Sequence, residues 1–422
     1  MYGLLGKNLE HSLSKDIHEF LGTDDYELIE TDDPATFIKQ KQFSGINITM
    51  PYKRQVVQYC DVLSESVKRT NVANTIVNRN GTLYAYNTDY EALVELFKNQ
   101  FIDTNDSIAI IGNGATASSV CAALETLNHT NIVQYARNPI ANQKPITALA
   151  KTHHVLINTT PVGMFPANDA FENICFEQHK DLKLVFDVVY NPLKTHLILA
   201  AEKAQINTLV GLPMLILQAI KSHVYFTQKN TANLLAESLY KFLFLKTANL
   251  AFIGLPYSGK TTYAKIMGNR LNKSFIDVDI CIENNTNMSI SDFFKTKGEP
   301  AFRTLESEQT IAIAQNIGQS IGTGGGIIKN TEAMHALKQS SIILYLDLSD
   351  SLLEAIYYHG RPLAKDKVSL LELKKERHAL YQKYADIVIH KNTLQHDTIM
   401  HQIEVKIHAY IDYQWSQLKL TR

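Results

Sequence analysis

The stretch around residue 254 constrains the fold of this chain more than any other. An apolar run from Leu250 to Ile253 is typical of a buried strand. It leads directly into GLPYSGKT, residues 254–261, which matches the phosphate-loop pattern G-x-x-x-x-G-K-[ST]. Apolar residues then recur at helical spacing, which predicts a strand, a loop and a helix whose bare N–H groups face an anion. The alternative, a glycine-rich turn with a surface lysine, leaves those flanking elements unexplained.

Length and composition set the class of protein. The chain has 422 residues, more than the roughly 250–300 at which a single core stops growing, so two or three domains are expected. With 45% hydrophobic residues, 20% charged residues and a net charge of −1, a soluble protein without general affinity for nucleic acid or membranes is expected. The four cysteines have no metal-site or redox spacing, and neither a signal peptide nor a long apolar run is evident. These features favour a cytoplasmic protein.

The first 95 residues follow an α/β pattern. Strands are predicted at Tyr2–Leu5 and Gly45–Thr49, and helices at Ser14–Leu21 and Lys53–Leu63. Small polar clusters stand where these elements end or begin, and such positions let side chains converge on a small polyhydroxylated ligand. Taken singly, each cluster is also consistent with a helix cap or a turn. The clusters are HSLS at 11–14, GINITMPYK at 45–53, ANT at 73–75 and NTD at 87–89.

A dinucleotide-binding unit follows. A strand at 107–111 leads into GNGATA, residues 112–117, which fits G-x-G-x-x-A, and a helix and a second strand at 131–135 complete the βαβ pattern. The second strand is followed by Arg137-Asn138 rather than a carboxylate, which favours NADP over NAD. The residues expected to contact this cofactor are Gly112, Asn113, Gly114, Ala115, Thr116, Ala117, Arg137, Asn138, Met164 and Gly211.

The part beyond the phosphate loop carries further charged and glycine-rich motifs. FIDVD, residues 275–279, is predicted to end a strand with both carboxylates on one face, where they serve a metal and a substrate hydroxyl. Arg303 is predicted on a helix, and the glycines of TGGG, residues 323–326, are expected to pack against a ligand, with a bulge or tight turn as the alternative. The polar stretch 358–363 containing Arg361 is predicted to form a lid.

Taken together, the motifs of residues 1–245 resemble shikimate dehydrogenase. The matching pieces are HSLS, G-x-N-x-T-x-P-x-K, ANT, NTD, the dinucleotide loop, NTTPVGM and G-x-x-M-L-x-x-Q. The resemblance implies that Ser12 and Ser14 hold the substrate carboxylate and that Lys53 and Asp89 form the catalytic pair. A lysine ammonium steered by a carboxylate suits the chemistry, because a ketone that accepts hydride needs a proton donor. By the same resemblance the polyol site is lined by Thr49, Asn74, Asp89, Tyr190 and Gln218.

Residues 247–422 resemble shikimate kinase across their whole length. The phosphate loop, D-x-D, G-E-x-x-F-R-x-x-E, T-G-G-G, R-P-L and R-x-x-x-Y all occur in the family's order. The resemblance implies Mg²⁺ held by Thr261 and Asp277, and Asp279 on the hydroxyl that is phosphorylated. Shikimate would be gripped by Arg303, Arg377, Gly324, Gly325 and Gly326. The residues expected on the nucleotide are Gly254, Tyr257, Ser258, Gly259, Lys260, Thr261, Thr262 and the lid cation Arg361, with Tyr257 standing where the family usually has glycine.

The two resemblances imply a bifunctional enzyme that reduces 3-dehydroshikimate with NADPH and phosphorylates shikimate with ATP and Mg²⁺, as a monomer or homodimer. The expected fold class is α/β: a substrate domain at 1–95 with a returning helix at about 213–245, a Rossmann domain at 96–212, and a P-loop three-layer α/β/α domain at 247–422, like that of nucleoside monophosphate kinases. Alternatives are an NAD-preferring quinate dehydrogenase, a sensor in which one half only binds, and a generic oxidoreductase fused to an unrelated P-loop protein.

Overall fold

The computed structural model describes residues 1–10, 12–100, 102–171, 174–229, 235–355 and 367–420. The chain divides into two compact units. The first unit comprises Met1–Tyr190, Thr195–Leu243 and the segment that begins at Trp415, and the second comprises Asn191–Lys194 and Phe244–Gln414. The domain boundaries proposed from the sequence stay predictions.

The first unit contains a mixed sheet near its amino terminus. Its strands are β1 (Tyr2–Gly6), β2 (Tyr26–Glu30), β3 (Gly45–Ile48), β4 (Val62–Leu63), β5 (Thr75–Arg79) and β6 (Thr82–Tyr86). They lie in the order β2-β1-β3-β5-β6-β4. β3 is parallel to β1 and antiparallel to β5, which is antiparallel to β6. The carboxyl ends of β1, β3 and β6 and the amino end of β5 therefore share one edge of the sheet.

Four helices accompany this sheet: α1 (Ser14–Phe20), α2 (Pro34–Gln40), α3 (Glu65–Thr70) and α4 (Thr88–Lys98). The helix predicted over Lys53–Leu63 is wrong. The segment instead forms a single 3₁₀ turn, Gln55–Tyr59, followed by β4. The reason is a competing pairing, because Asp61 exchanges backbone and side-chain hydrogen bonds with Leu83 of β6.

The second sheet of this unit is fully parallel. Its strands are β7 (Ile108–Ile111), β8 (Ile132–Ala136), β9 (Lys144–Pro145), β10 (Val155–Asn158), β11 (Leu184–Asp187) and β12 (Asn207–Leu209). The accompanying helices are α5 (Ala115–Thr126), α6 (His196–Lys203) and α7 (Leu212–Thr227). The order β12-β11-β10-β7-β8-β9 reverses direction at β7. Ligands of such sheets bind beyond the carboxyl ends of the strands at this switch point.

The second unit is built on a five-stranded parallel sheet. Its strands are β13 (Asn249–Gly254), β14 (Ser274–Asp277), β15 (Gln319–Gly322), β16 (Ser341–Leu348) and β17 (Ile387–Lys391). The order is β14-β15-β13-β16-β17, so β13, which is buried throughout, lies at the centre. The chain enters β13 from α8 (Ala236–Thr247), and the helices that follow are α9 (Lys260–Arg270), α10 (Val278–Thr286), α11 (Ile290–Ala314), α12 (Thr331–Ser340), α13 (Asp350–Ala355), α14 (Lys367–Tyr384) and α15 (His396–Gln417).

Two local features concern α11 and the segment that begins at Trp415. α11 is interrupted at Gly298, whose φ of 81° is not helical, so the chain restarts its helix before Arg303. In the first unit, the Trp415 ring lies 5.2 Å from the Tyr240 ring, and Gln100 donates to the Leu418 carbonyl at 3.3 Å.

These parallel sheets with interspersed helices confirm the predicted α/β fold class, with a Rossmann-like part and a P-loop part. Within the described ranges, no helix combines the length and the apolar character needed to cross a membrane.

Candidate active sites

The first site centres on an ion pair between Lys53 and Asp89. The ammonium nitrogen lies 2.6 Å from Asp89 Oδ2, and the two side chains are only 14% and 6% exposed. Lys53 belongs to the turn after β3, and Asp89 lies in the first turn of α4, where the helix dipole stabilises a carboxylate. The pair thus places a proton donor beside a fixed negative charge.

Asn74 fixes this carboxylate from the other side. Its Nδ2 lies 3.0 Å from Asp89 Oδ1 and 2.9 Å from Thr88 Oγ1. Its own Oδ1 accepts the backbone N–H of Thr88 at 2.7 Å. Gln218 on α7 reaches the same amide, with its Oε1 3.4 Å from Asn74 Nδ2. Four of the predicted site residues are therefore in one hydrogen-bonded network, which leaves Asp89 little freedom to rotate.

Sheet topology explains why these distant residues meet. Thr49 and Lys53 follow the carboxyl end of β3, Asn74 precedes β5, and Asp89 follows β6. All of these ends lie on the shared edge of the first sheet. The turn after β1 reaches the same edge, because β1 and β3 are parallel neighbours.

Ser12 and Ser14 stand in that turn and at the start of α1. Ser12 Oγ accepts the backbone N–H of Ser14 at 3.2 Å. Within the described residues, no side-chain hydrogen bond joins Ser12, Ser14, Thr49 or Tyr190 to the Lys53 network; Tyr190 follows β11 of the second sheet. Their predicted roles therefore depend on a ligand that spans the distance.

The dinucleotide loop lies between β7 and α5, at the switch point of the second sheet. Gly112 has a φ of +117°, and a Cβ there would lie 2.4 Å from the Thr159 hydroxyl oxygen. Gly114 precedes the first turn of α5, and a Cβ there would meet no atom within 4 Å. Glycine at 112 is thus required by packing, whereas the space beside Gly114 suits a pyrophosphate that must approach the backbone closely.

The remaining predicted cofactor residues surround this loop. Arg137 is exposed directly after β8, and Asn113 donates to the Asn138 carbonyl at 3.0 Å. Met164 is 38% exposed in the turn beyond β10. Gly211 is constrained otherwise, because a Cβ there would lie 2.2 Å from the Val188 carbonyl oxygen; its cofactor role stays a prediction.

Arg54 is a residue that sequence reasoning missed. Its guanidinium donates to Ser118 Oγ at 2.6 Å and to the Gly114 carbonyl at 3.4 Å. A cation at the positive end of α5 is unfavourable unless an anion is also present, so Arg54 fits a cofactor phosphate. Its place next to Lys53 in sequence is the one signal that could have identified it.

In the second unit, the phosphate loop joins β13 to α9 as predicted. Gly254 and Gly259 have φ of 150° and 91°, and Tyr257 adopts the left-handed conformation with φ of 65°. Tyrosine therefore reaches the backbone shape for which the family uses glycine. The Lys260 ammonium donates to the Leu255 carbonyl at 2.9 Å, so it lies across the loop. The buried Ser258 hydroxyl has no hydrogen-bond partner among the described residues.

Thr261 and Asp277 are brought together, with Thr261 Oγ1 donating to Asp277 Oδ2 at 2.6 Å. The prediction that Asp279 extends the same strand is wrong. Asp277 ends β14 and caps α10, accepting the Ile280 N–H at 3.2 Å, so Asp279 lies in the first helical turn. Two oxygen-bearing side chains beside the loop remain a suitable pair of Mg²⁺ ligands.

The glycine run after β15 joins the loop to the charged groups around it. A Cβ at Gly324 would lie 2.0 Å from Glu306 Oε1 and 3.2 Å from Asp279 Oδ1. At Gly325 it would meet Pro256 of the phosphate loop at 3.2 Å, and at Gly326 the Arg303 guanidinium at 2.3 Å. A side chain at any of the three positions would crowd these groups, most severely at Gly324 and Gly326, so the run packs closely against the phosphate loop and the charged side chains. Its role in ligand binding stays a prediction.

Two buried charges flank the run. The Arg303 guanidinium donates to Glu306 at 2.7 Å and to Glu299 at 3.0 Å. Burial raises the pKa of the Glu306 carboxyl, and Arg303 opposes that shift. Arg377 donates to the Gly325 carbonyl at 3.0 Å, while its Nε lies 4.0 Å from Glu376 Oε2 and, like Glu306 Oε1, has no hydrogen-bond partner within the described part of the chain.

Tyr381, the tyrosine of R-x-x-x-Y, donates to the Gly325 carbonyl at 2.6 Å and so supports the glycine run 324–326. Glu306 was visible in the sequence as the last residue of G-E-x-x-F-R-x-x-E. The predicted lid cation Arg361, the rest of its stretch up to residue 363, and His11 lie outside the described residues.

Comparison with known proteins supports both resemblances, to shikimate dehydrogenase in the first part of the chain and to shikimate kinase in the last. The family model described as shikimate dehydrogenase substrate binding domain matches residues 4–76, and the model described as shikimate kinase matches residues 256–408. A shikimate dehydrogenase (NADP(+)) of Clostridium beijerinckii is 32% identical over 263 residues, covering 57% of this chain and 96% of that protein. One from Sulfolobus acidocaldarius is 30% identical over 268 residues, covering 58% and 95%.

A solved structure agrees with these sequence relatives. The crystal structure of shikimate dehydrogenase 1 from Peptoclostridium difficile is 27% identical, has a TM-score of 0.52, and covers 57% of this chain and 97% of that one. The chain therefore belongs to the shikimate dehydrogenase family and carries a shikimate kinase domain behind it, which makes it a bifunctional enzyme of the shikimate pathway.

Proposed function

We propose that the first unit reduces 3-dehydroshikimate to shikimate with NADPH and that the second unit phosphorylates shikimate with ATP. The observation that carries the first part is the Lys53–Asp89 pair, 2.6 Å apart within the network of Asn74 and Gln218. An unrelated oxidoreductase would not need this polar set at the edge of a sheet separate from the dinucleotide-binding one.

NADPH supplies the hydride that adds to the ketone carbon. The carbonyl oxygen then gains negative charge, and the Lys53 ammonium donates a proton to it. Asp89 holds the ammonium in position, and such acid–base assistance contributes about 10²–10⁴-fold to rates. Asn74, Gln218, Thr49 and Tyr190 orient the hydroxyl groups, and Ser12 and Ser14 bind the carboxylate.

Cofactor placement follows from the second sheet. The N–H groups from Gly112 to Ala117 would hold the pyrophosphate, and Arg137 would bind the 2′-phosphate that distinguishes NADPH from NADH. Met164 would contact the nicotinamide. The NAD alternative is tested by measuring the affinity for both cofactors.

In the second unit, Lys260 and the loop N–H groups hold the ATP phosphates, and Thr261 with Asp277 holds Mg²⁺. Asp279 orients the acceptor hydroxyl of shikimate. Arg303, Arg377 and the Gly324–Gly326 run hold the remainder of the substrate, and Arg361 is the lid cation. Phosphoryl transfer requires mainly positioning and charge stabilisation, which these groups provide.

The test uses the full chain with 3-dehydroshikimate, NADPH, ATP and Mg²⁺, following NADPH loss and ADP formation together. With 3-dehydroshikimate, ADP formation is expected to begin only once NADPH oxidation has produced shikimate. Added shikimate should give ADP without NADPH. NADPH loss without ADP formation from shikimate would refute the kinase part. A monomer or homodimer in the cytoplasm is also proposed, and its four free thiols suit a reducing compartment.

A further inference from the structure

Lys391 is a buried lysine at the end of β17, behind the phosphate loop. It is 5% exposed. Its ammonium donates to the Ser258 carbonyl at 3.3 Å and lies 5.0 Å from the centre of the Tyr263 ring. A Cβ on Gly259 would lie 3.5 Å from the same nitrogen. Lys391 thus contacts the loop at the peptide between Ser258 and Gly259.

The peptide between Ser258 and Gly259 explains why this contact matters. In a trans peptide the C=O and the N–H point in opposite directions. A cation that holds the Ser258 carbonyl therefore turns the Gly259 N–H away from itself and leaves it free for a phosphate, the ligand that loops of this motif bind. The positive φ of Gly259 leaves this peptide free to rotate if nothing holds it.

Tyr263 completes the support. A Cβ on Gly259 would lie 3.0 Å from Tyr263 Cε2, so the ring packs directly beneath the loop. The ring is fully buried between the loop and Lys391, and its hydroxyl has no hydrogen-bond partner among the described residues. Because Tyr263 contributes only packing here, the polar group that holds the loop is the Lys391 ammonium.

The Lys391 ammonium has no acidic partner within ion-pair distance in the part of the chain that the structure describes. None of the ion pairs among the described residues includes it, and burial lowers its pKa. A buried ammonium without a carboxylate lowers stability, and one near the positive end of α9 is further disfavoured. Both costs diminish when an anion occupies the loop, which points to a role in ligand binding rather than in folding.

We propose that Lys391 is a positioning residue for the nucleotide: it holds the Ser258 carbonyl, aims the Gly259 N–H at the ATP phosphates, and adds positive charge behind the loop. The inference rests on the proposed role of the loop as the ATP site, and it adds a residue that lies 133 positions from Ser258 in sequence.

The chain offers a matched control. Lys406 donates to the Val388 carbonyl at 2.6 Å, so it holds the backbone of β17, and no hydrogen bond joins it to the phosphate loop among the described residues. The full chain is compared with Lys391→Met and Lys406→Met. Calorimetry gives the Kd for ATP and ADP with Mg²⁺, kinetics give both kinase KM values, and scanning calorimetry gives the unfolding midpoints.

Lys391→Met is expected to raise the Kd for ATP by about ten- to a hundredfold, the effect of losing a charge-assisted hydrogen bond. The KM for shikimate should not change, and the unfolding midpoint should hold or rise, because an apolar residue replaces an unpaired buried charge. Lys406→Met should leave the Kd for ATP unchanged. Lys391→Gln keeps a hydrogen-bond donor but loses the charge, so its Kd for ATP should lie between those of the native protein and Lys391→Met. It replaces Lys391→Met in the test if that variant does not fold.

An unchanged Kd in the Lys391 variants, with or without a lower midpoint, would overturn the proposal and make the residue structural. An equal rise in Lys406→Met would overturn it too, because loosening of β17 would then be the cause. Lys260→Met is the separate test of the ATP site. If that variant binds ATP normally, the proposed function of the loop fails whatever Lys391 does.

Discussion

The two active sites differ in how completely their polar groups are paired. In the first unit, Lys53, Asp89 and Asn74 bond to one another, and none of their atoms is among the buried unpartnered atoms of the described residues. In the second unit, Glu306 Oε1, Arg377 Nε and Ser258 Oγ are buried without hydrogen-bond partners among the described residues. The first site is organised before substrate arrives, whereas the second holds polar groups that a ligand must satisfy.

The difference follows from the two reactions. Proton donation needs one acid in a fixed orientation, so a closed network is sufficient. Phosphoryl transfer brings a polyanion and a metal ion together, and the protein must supply charges that pair only with them. Unpaired buried groups reduce stability, so the second unit is expected to gain more from its ligands than the first.

The largest expected effect comes from Lys53→Met. Removing the proton donor should lower reductase turnover by about 10²–10⁴-fold and leave ATP turnover with shikimate unchanged. NADPH oxidation and ADP formation are measured on the same sample. Lys41→Met is the control, because Lys41 also pairs with an aspartate, Asp61, but on the exposed surface. Equal loss of both activities in a folded variant would break the assignment.

Lys260→Met should reduce kinase turnover by about 10²–10³-fold, as the loss of one group that stabilises transition-state charge does elsewhere. Reductase activity should persist. Lys265→Met is the control, since Lys265 lies on the exposed face of the same helix α9. Normal ATP turnover in Lys260→Met would place the phosphates away from this loop.

Arg137→Ala extends the comparison to the first unit. Arg137 is expected to pair only with a bound ligand, as the unpaired polar groups of the second unit are. Loss of a charge-assisted hydrogen bond should raise the Kd for NADPH by about ten- to a hundredfold. NADH binding, measured by the same titration, should not change. If both cofactors weaken together, Arg137 is structural and the preference for NADPH has another origin.

The smallest expected effect is a change in stability when a carboxylate of either site loses its charge. Asp89→Asn leaves Lys53 without its carboxylate and should cost about 1–3 kcal/mol of stability. Glu306→Gln removes a charge that burial already disfavours, so the second unit should keep or gain stability. Scanning calorimetry distinguishes the two transitions, because NADPH should shift one and ATP the other. Equal destabilisation by both substitutions would remove the contrast between the sites.

Much of each site could be predicted from the sequence because the motifs are local. The phosphate loop and GNGATA each lie within eight residues and between recognisable elements. The contact between Lys53 and Asp89 could not be derived in that way, since it depends on the antiparallel pairing of β5 with β3 and β6.

The errors also have physical causes. Asp277 and Asp279 satisfy strand periodicity, but an aspartate is equally a helix cap, and the cap formed. Lys391 carries no motif and Arg54 is marked only by its place next to Lys53; each donates to a backbone carbonyl that only the folded chain brings near. A contact with distant backbone has no sequence pattern of its own.

The packing of Trp415 against Tyr240 bears on how the gene could be divided. A polypeptide cut near residue 246, between the two family matches, keeps Tyr240 but loses the tryptophan that packs against it. Cleaving the fusion there would therefore increase the exposure of the Tyr240 ring, which is 2% exposed in the intact chain. A separate dehydrogenase chain would have to cover or replace this tyrosine.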